Sequence, residues 1–166
     1  MTTRKILITI IFAISILACS GRKSKEELAQ PENIPTRNDL PKMIITSLNG
    51  SQVNVHELKG NTILVLFQPD CDHCQREAKE IKDHLDAFKN YSLYFISADQ
   101  MPAIEKFGKD YDLLGHTNIN FGMTTVQHVL DNFGPIDAPS VYIYVNQQLQ
   151  HKFNGETPIV KILEAI

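Results

Sequence analysis

Hydrophobic and polar positions follow two different periods along this chain, and the change of period marks the elements. Ile63, Leu64, Val65, Leu66 and Phe67 form an unbroken apolar run within Thr62 to Gln68. Such a run predicts a strand buried on both faces, as in a sheet covered by helices on each side. Pro69 ends it. From Cys74 the period becomes helical: Cys74, Ala78, Ile81, Leu85 and Phe88 recur at spacings of four, three, four and three. That pattern predicts one face of a helix reaching about Phe88. Gln75, Arg76, Glu77, Lys79, Glu80, Lys82, Asp83, His84 and Asp86 fall between and form its expected solvated face. Asp70 is the expected N-cap.

The flanking segments repeat this alternation. Met43 to Leu48 and Gln52 to Val55 predict two strands joined at Asn49-Gly50, a strong hairpin signal. Glu57 to Asn61 is a turn. Tyr91 to Ser97 is a strand, and Pro102 opens a helix reaching about Lys109. Leu113 to Gly122 is ambiguous, with room for a short strand at Asn118 to Phe121. Thr124 or Thr125 caps a helix carrying Val126, Val129, Leu130 and Phe133. The loop Gly134 to Pro139 leads into a strand from Ser140 to Val145. Asn146-Gln147-Gln148 turns the chain back into Leu149 to Phe153, and Thr157-Pro158 starts a final helix with Ile159, Ile162, Leu163 and Ile166 inward. Strand and helix in alternation give an α/β sandwich, and the closing hairpin and helix imply a mixed sheet.

Composition narrows the picture at the N-terminus. Arg4 and Lys5 precede an apolar core, Ile6 to Ala18, too short for a transmembrane helix of about 20 residues. It fits the hydrophobic region of a secretory signal peptide over residues 1–18. The junction Ile16-Leu17-Ala18-Cys19-Ser20 resembles the lipobox of bacterial lipoproteins, with lipid on Cys19. Leu17 stands where a smaller residue is more usual. Residues 19–42 are polar and dotted with Pro31, Pro35 and Pro41, and they read as a tether. That leaves a single domain over 43–166. A net charge of -3 and the absence of a basic stripe give no support to nucleic-acid binding.

The candidate chemistry is Cys71-Asp72-His73-Cys74. A strand that delivers Cys-x-x-Cys to a helix start places sulfur where free backbone N–H groups and a partial positive charge favour thiolate over thiol. Cys74 begins the buried stripe, so Cys71 is the exposed attacking sulfur and Cys74 the sheltered resolving one. A protonated His73 would add to the thiolate's stability, and Asp70 and Asp72 would oppose it. An export signal implies a compartment where disulfides persist. Other readings of the pair stay open. A zinc site would need four ligands, and His73, His84, His116, His128 and His151 lie at no recognised spacing. Covalent haem needs His after the second cysteine, where Gln75 stands. A lipid-anchored binding module with an inert disulfide staple is the main alternative.

The order strand, Cys-x-x-Cys helix, strand, helix, loop with Ala138-Pro139-Ser140, hairpin, helix resembles the thioredoxin fold. The N-terminal hairpin and the extra helix and strand between Pro102 and Phe121 are more similar to the TlpA/ResA-type envelope oxidoreductases. The resemblance covers Met43 to Ile166. It implies a mixed central sheet with helices on both faces, a redox disulfide between Cys71 and Cys74, and a cis-Pro139 beside Cys71 for pairing with substrate. It implies no cofactor. Expected partners are protein thiol or disulfide substrates and a redox partner protein, met in the bacterial envelope by a domain tethered to a membrane at Cys19. Asp70 replaces the Trp usual before the first cysteine, and Val65 replaces a buried Asp found in thioredoxin. His73 in the second dipeptide position is similar to strongly oxidising members of the superfamily.

Overall fold

The structure, a computed structural model, describes residues 37–166. The expected signal peptide, Cys19 and most of the expected tether therefore lie outside the described residues. In chain order the elements are β1 (Ile44–Ser47), β2 (Gln52–Asn54), β3 (Thr62–Leu66), α1 (Asp72–Asp83), β4 (Ser92–Ser97), α2 (Met101–Asp110), β5 (Ile119–Met123), α3 (Val126–Phe133), β6 (Ser140–Val145), β7 (Gln148–Asn154) and α4 (Ile159–Leu163). The strands form one seven-stranded sheet in the order β2-β1-β5-β4-β3-β6-β7. β3 runs parallel to β4 and antiparallel to β6, so the sheet is mixed as expected.

The unbroken apolar run of β3 is buried on both faces because each face has its own core. Ile63 and Val65 point into a cluster with Cys74, Ala78 and Ile81 of α1, Ile104 and Phe107 of α2, and Ile162 of α4. Leu64 and Leu66 point into the other, with Leu40, Met43, Val55 and Tyr142, against which Val129 and Phe133 of α3 pack. Just past β3, Phe67 sits among Phe95, Phe107 and Phe121 at centroid distances of 5.9, 4.5 and 6.3 Å. This aromatic knot fixes the end of the strand from which the cysteines emerge.

Hairpin chemistry follows the sequence. Asn49 Oδ1 accepts from Ser47 Oγ (2.6 Å) and Ser51 N–H (2.9 Å), and Gly50 takes a φ of 83° that a side chain would resist. Thr125, not Thr124, caps α3, its hydroxyl accepting from His128 N–H.

Four expectations are corrected. First, packing begins before Met43. Leu40 is 2% exposed, Asp39 N–H donates to Gln147 O (2.8 Å) and Asn38 Nδ2 to His56 O (2.8 Å). Residues 38–42 thus belong to the domain, because Leu40 supplies an apolar anchor within a proline-dotted stretch. Second, Asp70 does not cap α1. The N-cap is Cys71, whose sulfur accepts from Cys74 N–H. Third, Glu77 is not on the solvated face: it is 1% exposed, covered from the side of α4. Fourth, the helix stops at Asp83, and Leu85–Phe88 continues as a 3-10 turn that still buries Phe88.

Candidate active site

Cys71 stands in an extended conformation (φ -87°, ψ 117°) between the loop after β3 and the first turn of α1. Its sulfur is the helix cap, 3.5 Å from Cys74 N–H. A donor and the positive end of the α1 dipole thus converge on the sulfur. On its other side the Cys71 thiol donates to Ala138 O at 3.6 Å. The residue is partly exposed, and Cys74 is buried at 2%. Both are free thiols. Gln68 N–H donates to Cys74 Sγ at 3.5 Å. Burial nevertheless pushes the Cys74 thiol up to about 12, against the lowering effect of that Gln68 bond and with help from the neighbouring Cys71 and Glu77.

The Ala138-Pro139 peptide bond is cis, with Pro139 buried. The end of β7 holds this loop in place. Asn154 Oδ1 accepts from Asp137 N–H at 3.0 Å, and Asn154 Nδ2 donates to Asp137 Oδ2 at 3.0 Å. Ser140 Oγ lies 2.7 Å from Asp137 O and 2.9 Å from Asn154 Oδ1, and its single proton serves one acceptor at a time. Gly155 N–H completes the tie to Asp137 O. The start of α1, with Cys71 and Cys74, and the loop before β6, with Ala138 and Pro139, are therefore brought together.

His73 is placed otherwise than expected. Its Nδ1 meets Glu156 Oε2 and lies 2.6 Å from Arg76 Nη2. Nδ1 donates to the carboxylate in one tautomer and accepts from the guanidinium in the other, so the two contacts compete. Arg76 Nε and Nη2 also fork onto Glu156 at 2.7 Å each. Arg76 first, and His73 second, hold the Glu156 carboxyl down to about 2.

Glu77 is the residue that sequence reasoning missed most clearly. Three residues after Cys74, it lies on the flank of the same helix face. Its Oε2 accepts from Thr157 N–H at 3.2 Å, and Oε1 is buried with no hydrogen-bond partner among the described residues. Burial, chiefly, raises its carboxyl to about 7. Glu80 Oε2 accepts from Ile159 N–H (3.2 Å), so both acids fasten the start of α4 to α1. The signal available in the sequence was the spacing to Cys74; nothing local showed that α4 would cover it. Among the described residues there is no group of three or more His, Cys, Asp or Glu able to hold a metal ion.

The sheet order, the sulfur at the cap of α1 and the cis-proline loop define a thioredoxin-like scaffold for thiol–disulfide chemistry. Comparison with known proteins agrees. Residues 36–147 match the model of the AhpC/TSA family. The chain is 22% identical over 139 residues to the thiol-disulfide oxidoreductase ResA of Bacillus subtilis, covering 81% of this chain and 70% of that protein. A secreted Mycobacterium tuberculosis disulfide oxidoreductase homologous to E. coli DsbE superposes with a TM-score of 0.64 at 16% identity, covering 75% of this chain and 93% of that one. StoA from Bacillus subtilis superposes with a TM-score of 0.57 at 14% identity, covering 74% and 93%. The chain belongs to the AhpC/TSA family, and it is ResA-like and thioredoxin-like in fold.

Proposed function

We propose that the protein is a thiol–disulfide oxidoreductase of the cell envelope that exchanges disulfides with partner proteins through Cys71 and Cys74. One observation carries this reading: a partly exposed sulfur caps α1 beside the Ala138-Pro139 loop, with a buried sulfur three residues behind it. An inert staple would not need the first sulfur open or the loop pinned against it.

The Cys71 thiolate attacks a partner disulfide. One S–S bond breaks, a mixed disulfide forms, and one partner sulfur leaves as a thiolate that takes up a proton. Cys74 then loses its proton and attacks the Cys71 sulfur, so the Cys71–Cys74 disulfide forms and the second partner sulfur leaves. Two electrons pass to the partner, and the reverse sequence oxidises it. Burial opposes the loss of the Cys74 proton, and Glu77, on the same side of α1 with its carboxyl near 7, can accept it. His73 acts from the Glu156–Arg76 clamp.

In this proposal Cys19 carries lipid and holds the domain outside the cytoplasm. No helix among the described residues is long and apolar enough to cross a membrane. Mass spectrometry of the membrane fraction should find an acylated Cys19 peptide, and Cys19→Ser should release the protein; an unmodified Cys19 in mature protein contradicts the anchor.

The exchange reading is tested by titrating the pair against glutathione buffers. A reversible two-electron couple, moving about 30 mV per tenfold change in equilibrium constant, is expected. Cys74→Ser should accumulate partners as mixed disulfides on Cys71. A pair that never cycles, with full biological function in the Cys71→Ser, Cys74→Ser double variant, makes the domain a binding module.

A further inference from the structure

α3 buries less of its apolar surface than its sequence would allow. Val129 and Phe133 pack on the sheet, Phe133 against Tyr142 at 4.6 Å between ring centroids. Val126 and Leu130, one helical turn apart, remain 62% and 44% exposed. They do not face open solvent at random. Both line a groove of about 890 Å³ floored by Leu66, Phe67 and Ile96 and ending at Ala138, whose carbonyl oxygen lies 3.6 Å from the Cys71 sulfur.

The carboxylates on the rim of this groove outnumber its cations. Asp99, Asp137 and Glu156 line it with His73, whose Nδ1 meets Glu156, and among the described residues no Lys or Arg does. The Glu156 carboxylate is already neutralised by Arg76. Asp99 meets only the Ser97 hydroxyl (3.1 Å), and the Asp137 carboxylate only the Asn154 amide (3.0 Å), among the described residues. With His73 and Arg76 engaged by Glu156, Asp99 and Asp137 face an apolar trough with no cation of their own among the described residues. A second copy of this chain is a poor occupant, because it would bring a net charge of -3 and the same acidic rim against this one.

We propose that the groove selects, among disulfide partners, an extended protein segment carrying a large apolar residue and a lysine or arginine next to its reacting cysteine. The apolar side chain covers Val126 and Leu130, and the cation sits between Asp99 and Asp137. This rests on the exchange reading above and gives that reaction its substrate class.

The experiment measures reduction of synthetic peptides, each disulfide-bonded to the same chromophoric aromatic thiol, by the reduced protein. Peptides pair Leu with Lys, Leu with Glu, or Ser with Ser beside the cysteine. The Leu–Lys peptide should react about tenfold faster than the Leu–Glu peptide at low ionic strength, and the gap should shrink at 1 M salt, where the Debye length is about 3 Å. Asp99→Asn should narrow the Lys-over-Glu gap, and Leu130→Ser should cost the Leu peptides about tenfold relative to the Ser–Ser peptide. Val160→Ser, an exposed apolar position on α4 away from the groove, should keep both preferences. Equal rates for all three peptides overturn the proposal, including the case in which a second copy or residues 1–36 fill the groove. A preference that survives Asp99→Asn and Leu130→Ser overturns it too. Reduction of the symmetric aromatic disulfide alone separates the two readings: if it proceeds without peptide preference, only the groove proposal fails. If it does not proceed, the exchange reading fails and takes this one with it.

Discussion

Two helices of the domain, α1 and α3, treat apolar surface in opposite ways. α1 closes its stripe: Cys74, Ala78 and Ile81 are 2%, 1% and 1% exposed, and even a carboxylate, Glu77, is sealed beneath the start of α4. α3 contains no buried residue and leaves Val126 and Leu130 open beside the groove. The closed side sets the chemistry, since a thiol and a carboxyl shift together only where water is excluded. The open side is free to meet a partner. On the reading proposed above, α1 carries stability and α3 carries recognition.

The division can be broken most severely in the α1 core. Ile81→Ala should cost about 2–5 kcal/mol in denaturant unfolding, whereas Leu130→Ser on α3 should move stability by only about 0.5 kcal/mol. Comparable losses at the two sites would erase the contrast.

Glu77→Gln sharpens it next. The Glu77 carboxyl loses its proton near its ordinary 4.5 in the unfolded chain and near 7 when folded. Between those values the unfolded state holds fewer protons, so stability falls as pH rises through this window. Glutamine can still accept from Thr157 N–H and removes the fall. The variant should therefore gain up to about 3 kcal/mol over the parent above pH 7 and match it below pH 4, read by urea unfolding across pH. It should also slow release of the mixed disulfide, because the group proposed to accept the Cys74 proton is gone.

Asn154→Ala acts on the open side by loosening the 137–140 loop. It leaves the exposed Asp137 N–H without its side-chain acceptor, while the Ser140 hydroxyl keeps Asp137 O, at a cost of about 0.5–1.5 kcal/mol, and should slow attack by Cys71 on protein disulfides. The smallest effect belongs to Glu156→Gln. The clamp is at the surface, where water and salt screen an ion pair. Removing its negative charge should therefore raise the potential of the pair only slightly, measured by glutathione titration.

Much of this was legible along the chain, for identifiable reasons. β3 declared its double burial because an unbroken run such as Ile63 to Phe67 has no solvated face. The Asn49-Gly50 hairpin was legible because its turn chemistry is local. The cap of α1 was misassigned to Asp70 because a carboxylate is the commoner cap; here the sulfur one residue later takes the position. Glu77 was placed in solvent because helical spacing fixes only its angle, not what covers it, and the cover arrives 80 residues later at Thr157. Asn154 and Glu156 had no local signal either. Their roles exist only once β7 returns beside β6 and delivers them to the loop and to His73. The helical spacing of Val126, Val129, Leu130 and Phe133 was legible on α3, but not which of them stay open, since periodicity counts apolar residues and not the neighbours available to bury them.

The central claim is that one sulfur is open for attack and the other is held back. It is tested most directly by timed alkylation of the reduced protein with iodoacetamide at pH 7, followed by peptide mass mapping. Modification of Cys71 alone, with Cys74 reacting only after unfolding, is the expected result. Equal modification of both in the folded protein, or of Cys74 first, would contradict the account.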